Sequence, residues 1–169
     1  RRVSDTPLER LADAMPQLVW VMQADGRNTW FNQKWLDYSG LSTEESLAHG
    51  WLPLVHADDR QQVSRLWAQA LGSSEPCEIE CRLRRADGVY RWMLCRALPQ
   101  RDATGQTAQW LGTLTDIDEL KQAAELLEKD IFMTRIAGRV ARLGGWTIDL
   151  PERVLTWSVE NCLIHDVPP

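Results

Sequence analysis

Hydrophobic and polar residues alternate along several short stretches of the chain, a pattern typical of β-strands that bury one face. The alternation is strict over residues 77–84, and turn signals connect this stretch to residues 89–98 and 106–115. The three stretches predict an antiparallel meander. One face of the first strand is apolar and the other is charged; the two sets are Cys77, Ile79, Cys81 and Leu83 against Glu78, Glu80, Arg82 and Arg84.

The last two predicted strands carry large apolar side chains on both faces. Trp92 and Leu94 alternate with Met93, and Leu111 alternates with Trp110. A sheet with one face in water does not have this pattern. We therefore expect one face to pack on the domain's own helices and the other to be covered by an N-terminal helix or a partner subunit.

A further hairpin is predicted near the start of the chain and is repeated near its end. Residues 18–22 and 29–31 flank an Asp-Gly turn, and residues 146–150 and 154–158 form another hairpin around Pro151-Glu152-Arg153. Trp20 and Trp30 match Trp146 and Trp157 with one residue inserted. We interpret residues 138–169 as the incomplete start of a second copy of the same module, too short to form its own core.

Helical spacing predicts the elements that cover the sheet. The cap helix over residues 1–16 places Leu8, Leu11 and Met15 on one face. A short helix over 32–40 ends at a glycine, and a capped turn follows at Ser42. A longer helix begins at Asp58-Asp59, whose charges suit a helix N-terminus, and its apolar residues are Val63, Leu66, Trp67, Ala70 and Leu71.

A long helix is predicted to begin at Asp116 and to form a linker over residues 117–137. Its apolar residues follow alternating steps of three and four, as in the seam of a coiled coil: Ile117, Leu120, Ala124, Leu127, Ile131 and Thr134. We favour a parallel contact between two copies of the chain. The alternative is an amphipathic helix that lies on its own domain.

Charge and composition narrow the function classes. The 169 residues carry 19 basic and 24 acidic side chains, a net charge of −5, without a basic cluster or an apolar run long enough to cross a bilayer. We therefore expect no nucleic-acid partner and no membrane contact from this fragment. Four cysteines without C-x-x-C spacing and the lack of a signal peptide indicate free thiols and a cytoplasmic location. The missing initiator Met suggests a piece of a longer chain.

Three groups of motifs, in the same order along the chain, resemble those of the PAS domain family, in particular the PAS fold-3 subclass. The first is Asn32-x-x-Trp35 with Tyr38-Ser39-Gly40. The second is the W-x-x-x-V-H-x-D-D-R stretch from Trp51 to Arg60, in which Ala57 replaces the usual Pro. The third extends from Glu80 to Asp118 and contains Arg84, Asp87, Gly88, Arg91, Trp92, Asp102, Gly105, Gly112 and Thr115-Asp116-Ile117-Asp118, where Asp118 replaces the Thr of the family's D-I-T signature.

The resemblance implies an α+β fold over residues 17–116, a five-stranded antiparallel sheet in the order 2-1-5-4-3 with helices on one face. It also implies a regulatory role, in which the domain passes a conformational change through its C-terminal helix to a kinase, a diguanylate cyclase or another PAS domain. At the junction between sheet and helix we expect signal transfer by Arg91, Asp116 and Ile117.

The resemblance further implies a ligand pocket between sheet and helices. The candidate lining residues are Trp30, Asn32, Trp35, Trp51, Trp67, Ile79, Cys81, Trp92 and Trp110. Haem is not favoured, because His56 lies where the family has a structural helix start; His49 is a less improbable haem ligand. The cysteine motif of light-oxygen-voltage photochemistry is absent from the sequence. Noncovalent flavin stays open, because Trp30, Trp35, Trp51 and Trp67 could offer stacking faces, but tryptophan at this spacing is more often part of the core. The ligand, if any, is therefore unknown, and we expect no metal and no catalytic residues in this fragment.

Two function classes remain open at this stage. The first is a sensor or relay module that forms a homodimer and signals through its exit helix to downstream domains of the same chain. The second is a ligand-free module that only pairs chains and spaces domains. The size of the cavity between sheet and helices would distinguish them.

Overall fold

A computed structural model describes residues 7–141, 145–152, 154–166 and 168, without the side chains of residues 7–10, 138, 139, 141 and 160. The chain forms two compact units, residues 1–119 and residues 120–169, which are described separately. The elements of the first unit are α1 (Pro7–Ala14), β1 (Leu18–Gln23), β2 (Asn28–Phe31), α2 (Gln33–Ser39), α3 (Thr43–His49), a 3₁₀ turn (Leu52–Leu54), α4 (Ala57–Ser73), β3 (Cys77–Arg84), β4 (Tyr90–Arg101), β5 (Thr107–Asp116) and the start of α5 (Asp118–Ala141).

The first unit is built on one antiparallel sheet in the order β2-β1-β5-β4-β3, which confirms the expected topology. Alternation along the strands directs one set of side chains towards the helices, and that inner face includes Trp20, Ile79, Cys81 and Leu114. The predicted helix starts are also present: Ser42 and Glu45 form a capping box, and Asn32 caps α2. Local sequence signals thus define where α2 and α3 begin.

Asn32 joins three elements at the start of the sheet. Its Oδ1 accepts hydrogen bonds from the backbone N–H groups of Val19 and Trp35, and its Nδ2 donates to the carbonyls of Ala12 and Gln17. All four hydrogen-bonding sites of this fully buried amide are therefore used. The geometry assigns Asn32 a structural role between α1, β1 and α2 and leaves no group free for a pocket ligand.

The structure describes the cap helix over Pro7–Ala14, and the members of its predicted apolar face whose side chains are described are largely exposed. Leu11 is 64% exposed and Met15 41% exposed, while the side chain of Leu8 lies outside the described residues. The outer face of the sheet also keeps exposed leucines, Leu98 at 50% and Leu111 at 37%. We expected either the N-terminal helix or a partner subunit to cover this face. The described part of the N-terminal helix leaves Leu98 and Leu111 exposed.

The exit helix α5 begins at Asp118, not at Asp116, and continues to Ala141, beyond the expected end at 137. Asp116 is the last residue of β5 because it is paired with Met93 on β4, and its Oδ1 accepts the backbone N–H of Asp118. Asp116 therefore caps the first turn of the helix from the end of the strand. None of the described helices contains a stretch that is both long and apolar enough to span a membrane.

The second unit contains the rest of α5, a hairpin of β6 (Trp146–Asp149) and β7 (Val154–Trp157), and α6 (Val159–Ile164). In the hairpin Trp146 pairs with Trp157, whereas in the first unit Trp20 pairs with Phe31. The match of Trp30 with Trp157 is therefore wrong by one position. Strand register, which residue spacing alone does not define, places Trp157 in the position of Phe31.

Candidate functional site

The space between sheet and helices is occupied by four indole rings. Trp67 of α4 lies at the centre, with its ring centroid 5.6 Å from that of Trp20, 6.4 Å from that of Trp51 and 5.4 Å from that of Trp110. The three contacts are edge-on, an arrangement that aromatic pairs prefer. Three of the pocket candidates thus pack against one another instead of presenting an open stacking face to a flat cofactor.

Other pocket candidates also lie between the sheet and the helices, where they pack in the core. Trp35 stacks on Phe31 with ring centroids 5.0 Å apart, and its Nε1 donates to Ser46 Oγ. Ile79 and Cys81 are buried on the inner face of β3. These residues form part of the core that holds the helices on the sheet.

Two pocket candidates do not reach the interior. Trp30 pairs with Val21, and Trp92 pairs with Arg82, on the face of the sheet opposite to the helices. The Arg82 guanidinium lies 5.4 Å from the centroid of the Trp92 ring. The alternation within each strand was visible in the sequence, but the identity of the covered face required the neighbouring helices.

An open groove of about 290 Å³ lies at the edge of the sheet, between α4 and β3. Its lining residues are Asp59, Gln62, Val63, Leu66, Glu78, Ile79, Glu80 and Trp92. Among the residues that the structure describes, no group of three or more His, Cys, Asp or Glu side chains is arranged to hold a metal ion. The groove shares only Ile79 and Trp92 with the expected pocket.

Burial makes the inner thiols poor nucleophiles. Desolvation raises the pKa of Cys81 to about 12 and also raises the pKa of Cys77 and of Cys95. Because the reactive form of cysteine is the thiolate, these groups remain protonated and inert at neutral pH. The arrangement favours the packing role of these cysteines over a redox role.

Arg91 and Asp116 meet at the point where the sheet connects to the exit helix. Arg91 Nε donates to Asp116 Oδ2 at 2.7 Å, and this hydrogen bond raises the pKa of Arg91. Ile117 N–H donates to the carbonyl of Trp92, which binds the residue before α5 to β4. The structure therefore brings together the three residues expected to transfer a signal.

Asp118, which in the sequence is only a replacement for the Thr of the family motif, lies at the same junction and is more buried than Asp116. Its side chain is 13% exposed, its Oδ1 accepts the backbone N–H of Trp92, and its Oδ2 lies 3.9 Å from Arg91. The first residue of the helix is therefore hydrogen-bonded to the neighbouring strand. The departure from the D-I-T motif was the sequence signal that could have identified it.

A second ion pair joins α4 to β3 and leads towards this junction. Asp59 accepts hydrogen bonds from the backbone N–H and the guanidinium of Arg82, with the shortest contact at 2.7 Å. Asp59 therefore forms a hydrogen-bonded ion pair with Arg82, in addition to placing a favourable charge at the start of α4. Through the Arg82–Trp92 contact and the Trp92–Asp118 hydrogen bond, the start of α4 is connected to the start of α5.

The exit helix exposes the expected seam and a second apolar stripe that the heptad pattern missed. Leu120, Leu127 and Ile131 of the seam are exposed. At 100° per residue, the second stripe is centred roughly on the opposite side of the helix and lies nearer its C-terminus. Its members are Leu126, Phe132, Met133, Ile136 and Val140, all of them exposed.

Comparisons with known proteins agree with this architecture. The chain matches the family model described as PAS fold over residues 28–114. Peroxide stress-activated histidine kinase mak1 of Schizosaccharomyces pombe is 38% identical over 125 residues, which are 72% of this chain and 7% of that protein. Probable diguanylate cyclase DgcE of Escherichia coli is 22% identical over 142 residues, 82% of this chain and 13% of that protein.

The chain spans between 5% and 18% of the length of the curated relatives it matches. Among solved structures, an RNA-binding light-oxygen-voltage receptor superposes with a TM-score of 0.65 at 18% identity, covering 76% of this chain and 40% of that one. Likeness at this identity shows the fold alone. Because the family model covers just over half of the chain and the sheet has the order that the motifs implied, the chain belongs to the PAS fold family.

Proposed function

We propose that this chain is the sensor or relay module of a larger cytoplasmic signal-transduction protein, a histidine kinase or a diguanylate cyclase. It acts as a homodimer and passes a conformational change through α5 to downstream domains of the same chain. Relatives named as histidine kinases and as a diguanylate cyclase support this role, and so does the regulatory character of the family. The fragment itself acts as a regulator and not as a catalyst.

The junction between sheet and exit helix is the observation that carries this proposal. Asp116 and Asp118 connect the end of β5 and the start of α5 to Arg91 and Trp92 of β4. A displacement of β4 would therefore act directly on the first residues of α5. A relay requires an element with two positions, because a signal can then bias one position over the other, and we propose that this junction is that element.

The exposed seam of α5 supports a pairing between copies of the chain. Leu120, Ala124, Leu127 and Ile131 repeat with coiled-coil spacing and remain accessible. Two such helices can bury the seam against each other, and the discrete packing of a coiled coil transmits small rotations. The apolar side chains Leu11 and Met15 of the cap helix add a second accessible surface in the first unit.

A repeated hydrogen-bond pattern supports the assignment of residues 138–169 to a second PAS module. In the first unit Val19 N–H donates to Asn32 Oδ1 and Asn32 N–H donates to the Val19 carbonyl. In the second unit Gly145 and Ser158 make the equivalent pair of bonds, and Ser158 caps α6 as Asn32 caps α2. The same pair of hydrogen bonds thus joins the two ends of both hairpins.

Removing the negative charge of Asp116 at this junction should alter the output of the full-length protein. In Asp116→Asn the ion pair with Arg91 is lost, so the start of α5 is held less firmly. We expect at least a twofold change in kinase or cyclase activity and faster amide hydrogen exchange at Ile117 and Trp92. Asp25→Asn is the matched control, because Asp25 pairs with Arg27 on an exposed turn. Unchanged output and unchanged exchange in Asp116→Asn would contradict the relay.

A ligand-free scaffolding role is the second candidate, and the four packed indole rings favour it. Native mass spectrometry of the purified chain, together with its absorption spectrum, distinguishes the two. The scaffolding role requires masses of the bare chain and its oligomers with no absorption beyond that of tryptophan and tyrosine. A retained small molecule would instead identify a sensor that binds its signal directly.

A further inference from the structure

His56 caps α4 with its side chain and attaches the start of this helix to the edge of the sheet. Its Nδ1 accepts the backbone N–H of Asp58 at 3.3 Å, and its own backbone N–H donates to the carbonyl of Arg82 at 2.8 Å. Because a backbone N–H can only donate, Nδ1 carries no proton while the first of these bonds exists. The cap therefore requires the neutral imidazole, with its proton on Nε2.

The same ring nitrogen lies beside a carboxylate that has a second partner. Asp58 Oδ2 is 3.5 Å from His56 Nδ1 and also 3.5 Å from Arg82 Nη2. A protonated Nδ1 can no longer accept the N–H of Asp58, but it can donate to this oxygen. His56 and Arg82 then compete for one acceptor, and their two positive charges repel each other. Protonation of His56 therefore removes the cap and acts on Arg82 at the same time.

Charged and titratable groups face His56 from α4, β3 and β4. They are Asp58, Asp59, Arg60, Arg82 and Tyr90. The two carboxylates attract a proton on the ring and the two guanidinium groups repel it. The ring of Tyr90 lies edge-on to the imidazole with centroids 4.7 Å apart. The His56 side chain is 28% exposed, so a proton reaches it from the solvent.

A displacement of Arg82 reaches the start of α5 in two steps. The Arg82 guanidinium lies 5.4 Å from the centroid of the Trp92 ring, and the backbone N–H of Trp92 donates to Asp118 Oδ1 at 3.1 Å. We propose that protonation of His56 is an input to the relay, which reaches α5 through Arg82, Trp92 and Asp118. The inference rests on the proposed relay function and assigns to it a fall in pH as a signal.

The test follows the amide NMR resonances of the 169-residue chain from about pH 8 to about pH 5, the range in which histidine changes its charge. The backbone amides of Asp58, Trp92 and Asp118 should shift with one common midpoint, which is that of the His56 ring. At the acidic end the Asp58 amide should also lose about fivefold of its protection from hydrogen exchange, the size of a typical N-cap interaction. Amides of Trp92 and Asp118 that do not follow the His56 ring overturn the proposal.

His56→Asn removes the titrating ring and keeps the cap, since asparagine is among the preferred N-cap residues. In this variant the amides of Trp92 and Asp118 should no longer respond to pH. His49→Asn is the matched control, because His49 also lies at a helix end, where its Nδ1 is 3.2 Å from the carbonyl of Glu45. Its pH response should equal that of wild type. A response that is lost in His49→Asn and kept in His56→Asn contradicts the assignment of the ring.

Asp58→Asn tests the route from His56 to Arg82. The variant keeps the backbone N–H that His56 caps and removes the negative charge for which His56 and Arg82 compete. The amide of residue 58 should still follow the pH, whereas the amides of Trp92 and Asp118 should not. If these two amides continue to titrate with His56, the transfer through Asp58 and Arg82 is refuted.

The activity of the full-length kinase or cyclase separates this inference from the proposed relay. The ratio of wild-type activity to that of His56→Asn should change at least twofold between the two ends of the pH range. A constant ratio, together with an altered output in Asp116→Asn, refutes the inference and leaves the relay intact. An unaltered output in Asp116→Asn refutes the relay, and with it the signalling role of His56, even where the amides of Trp92 and Asp118 follow the pH.

Discussion

Gly112→Ala should destabilise the first unit by about 3 kcal/mol or prevent its folding, because it overpacks the core. A Cβ added at Gly112 would lie 2.7 Å from Cη2 of Trp20 and closer still to Cε2 and Cζ2. Trp20 is fully buried and is in contact with the rings of Trp51 and Trp67, so it has no free space into which to move. Urea denaturation followed by far-UV circular dichroism measures the loss.

Two companion variants make this result specific. Gly72→Ala adds the same methyl group within α4, where nothing lies within 4 Å, and should stabilise the chain by about 0.5–1 kcal/mol. In a Trp20→Leu background, Gly112→Ala should cost much less, because the ring that it meets has been removed. An equal cost in both backgrounds would show that the Trp20 ring does not lie against Gly112.

Arg82→Met should cost about 2–3 kcal/mol at neutral pH, because the Asp59 carboxylate loses the guanidinium and keeps only the backbone N–H of residue 82. Asp59 is 17% exposed and Arg82 31% exposed, so water screens their interaction only in part. The same substitution removes the cation over the Trp92 ring. Arg27→Met is the matched control, because the Arg27–Asp25 pair is exposed on both sides, is screened by water and should contribute little to stability.

The pH dependence of stability tests the same ion pair. The hydrogen bond from Arg82 lowers the pKa of Asp59 below its ordinary value of 3.8. A carboxyl group with a lower pKa in the folded state adds stability that is complete above the unfolded value and is lost as the pH falls through the folded one. The free energies of unfolding of wild type and Arg82→Met should therefore differ most above about pH 5, and the difference should shrink as the pH falls below 3.8 towards the lowered pKa of the folded state. A difference that is constant from pH 7 to pH 3 would contradict the assignment.

Most of the secondary structure could be predicted because its causes act between residues that are close in the chain. The alternation over 77–84, the Ser42–Glu45 capping box and the helical spacing of α4 are signals of this kind. The start of α5 was misplaced because pairing with Met93 keeps Asp116 in the strand. Local cap spacing alone does not show how far a neighbouring strand extends.

The candidate site could be predicted only in part. Arg91, Asp116 and Ile117 were identified because motif positions mark the end of the last strand. The pairing of Asp59 with Arg82 and the Asp118–Trp92 hydrogen bond were missed, because their partners are 23 and 26 residues apart. No periodic pattern relates residues at such distances.

The sequence by itself determined the order of strands and helices, the PAS family and the capping box at Ser42, because these depend on short-range spacing and on motif order. Only the tertiary structure decided that four tryptophan rings occupy the space between sheet and helices and that Trp30 and Trp92 lie on the opposite face. The physical reason is that strand register and side-chain packing are set by contacts between distant segments, which exist only once the sheet has formed.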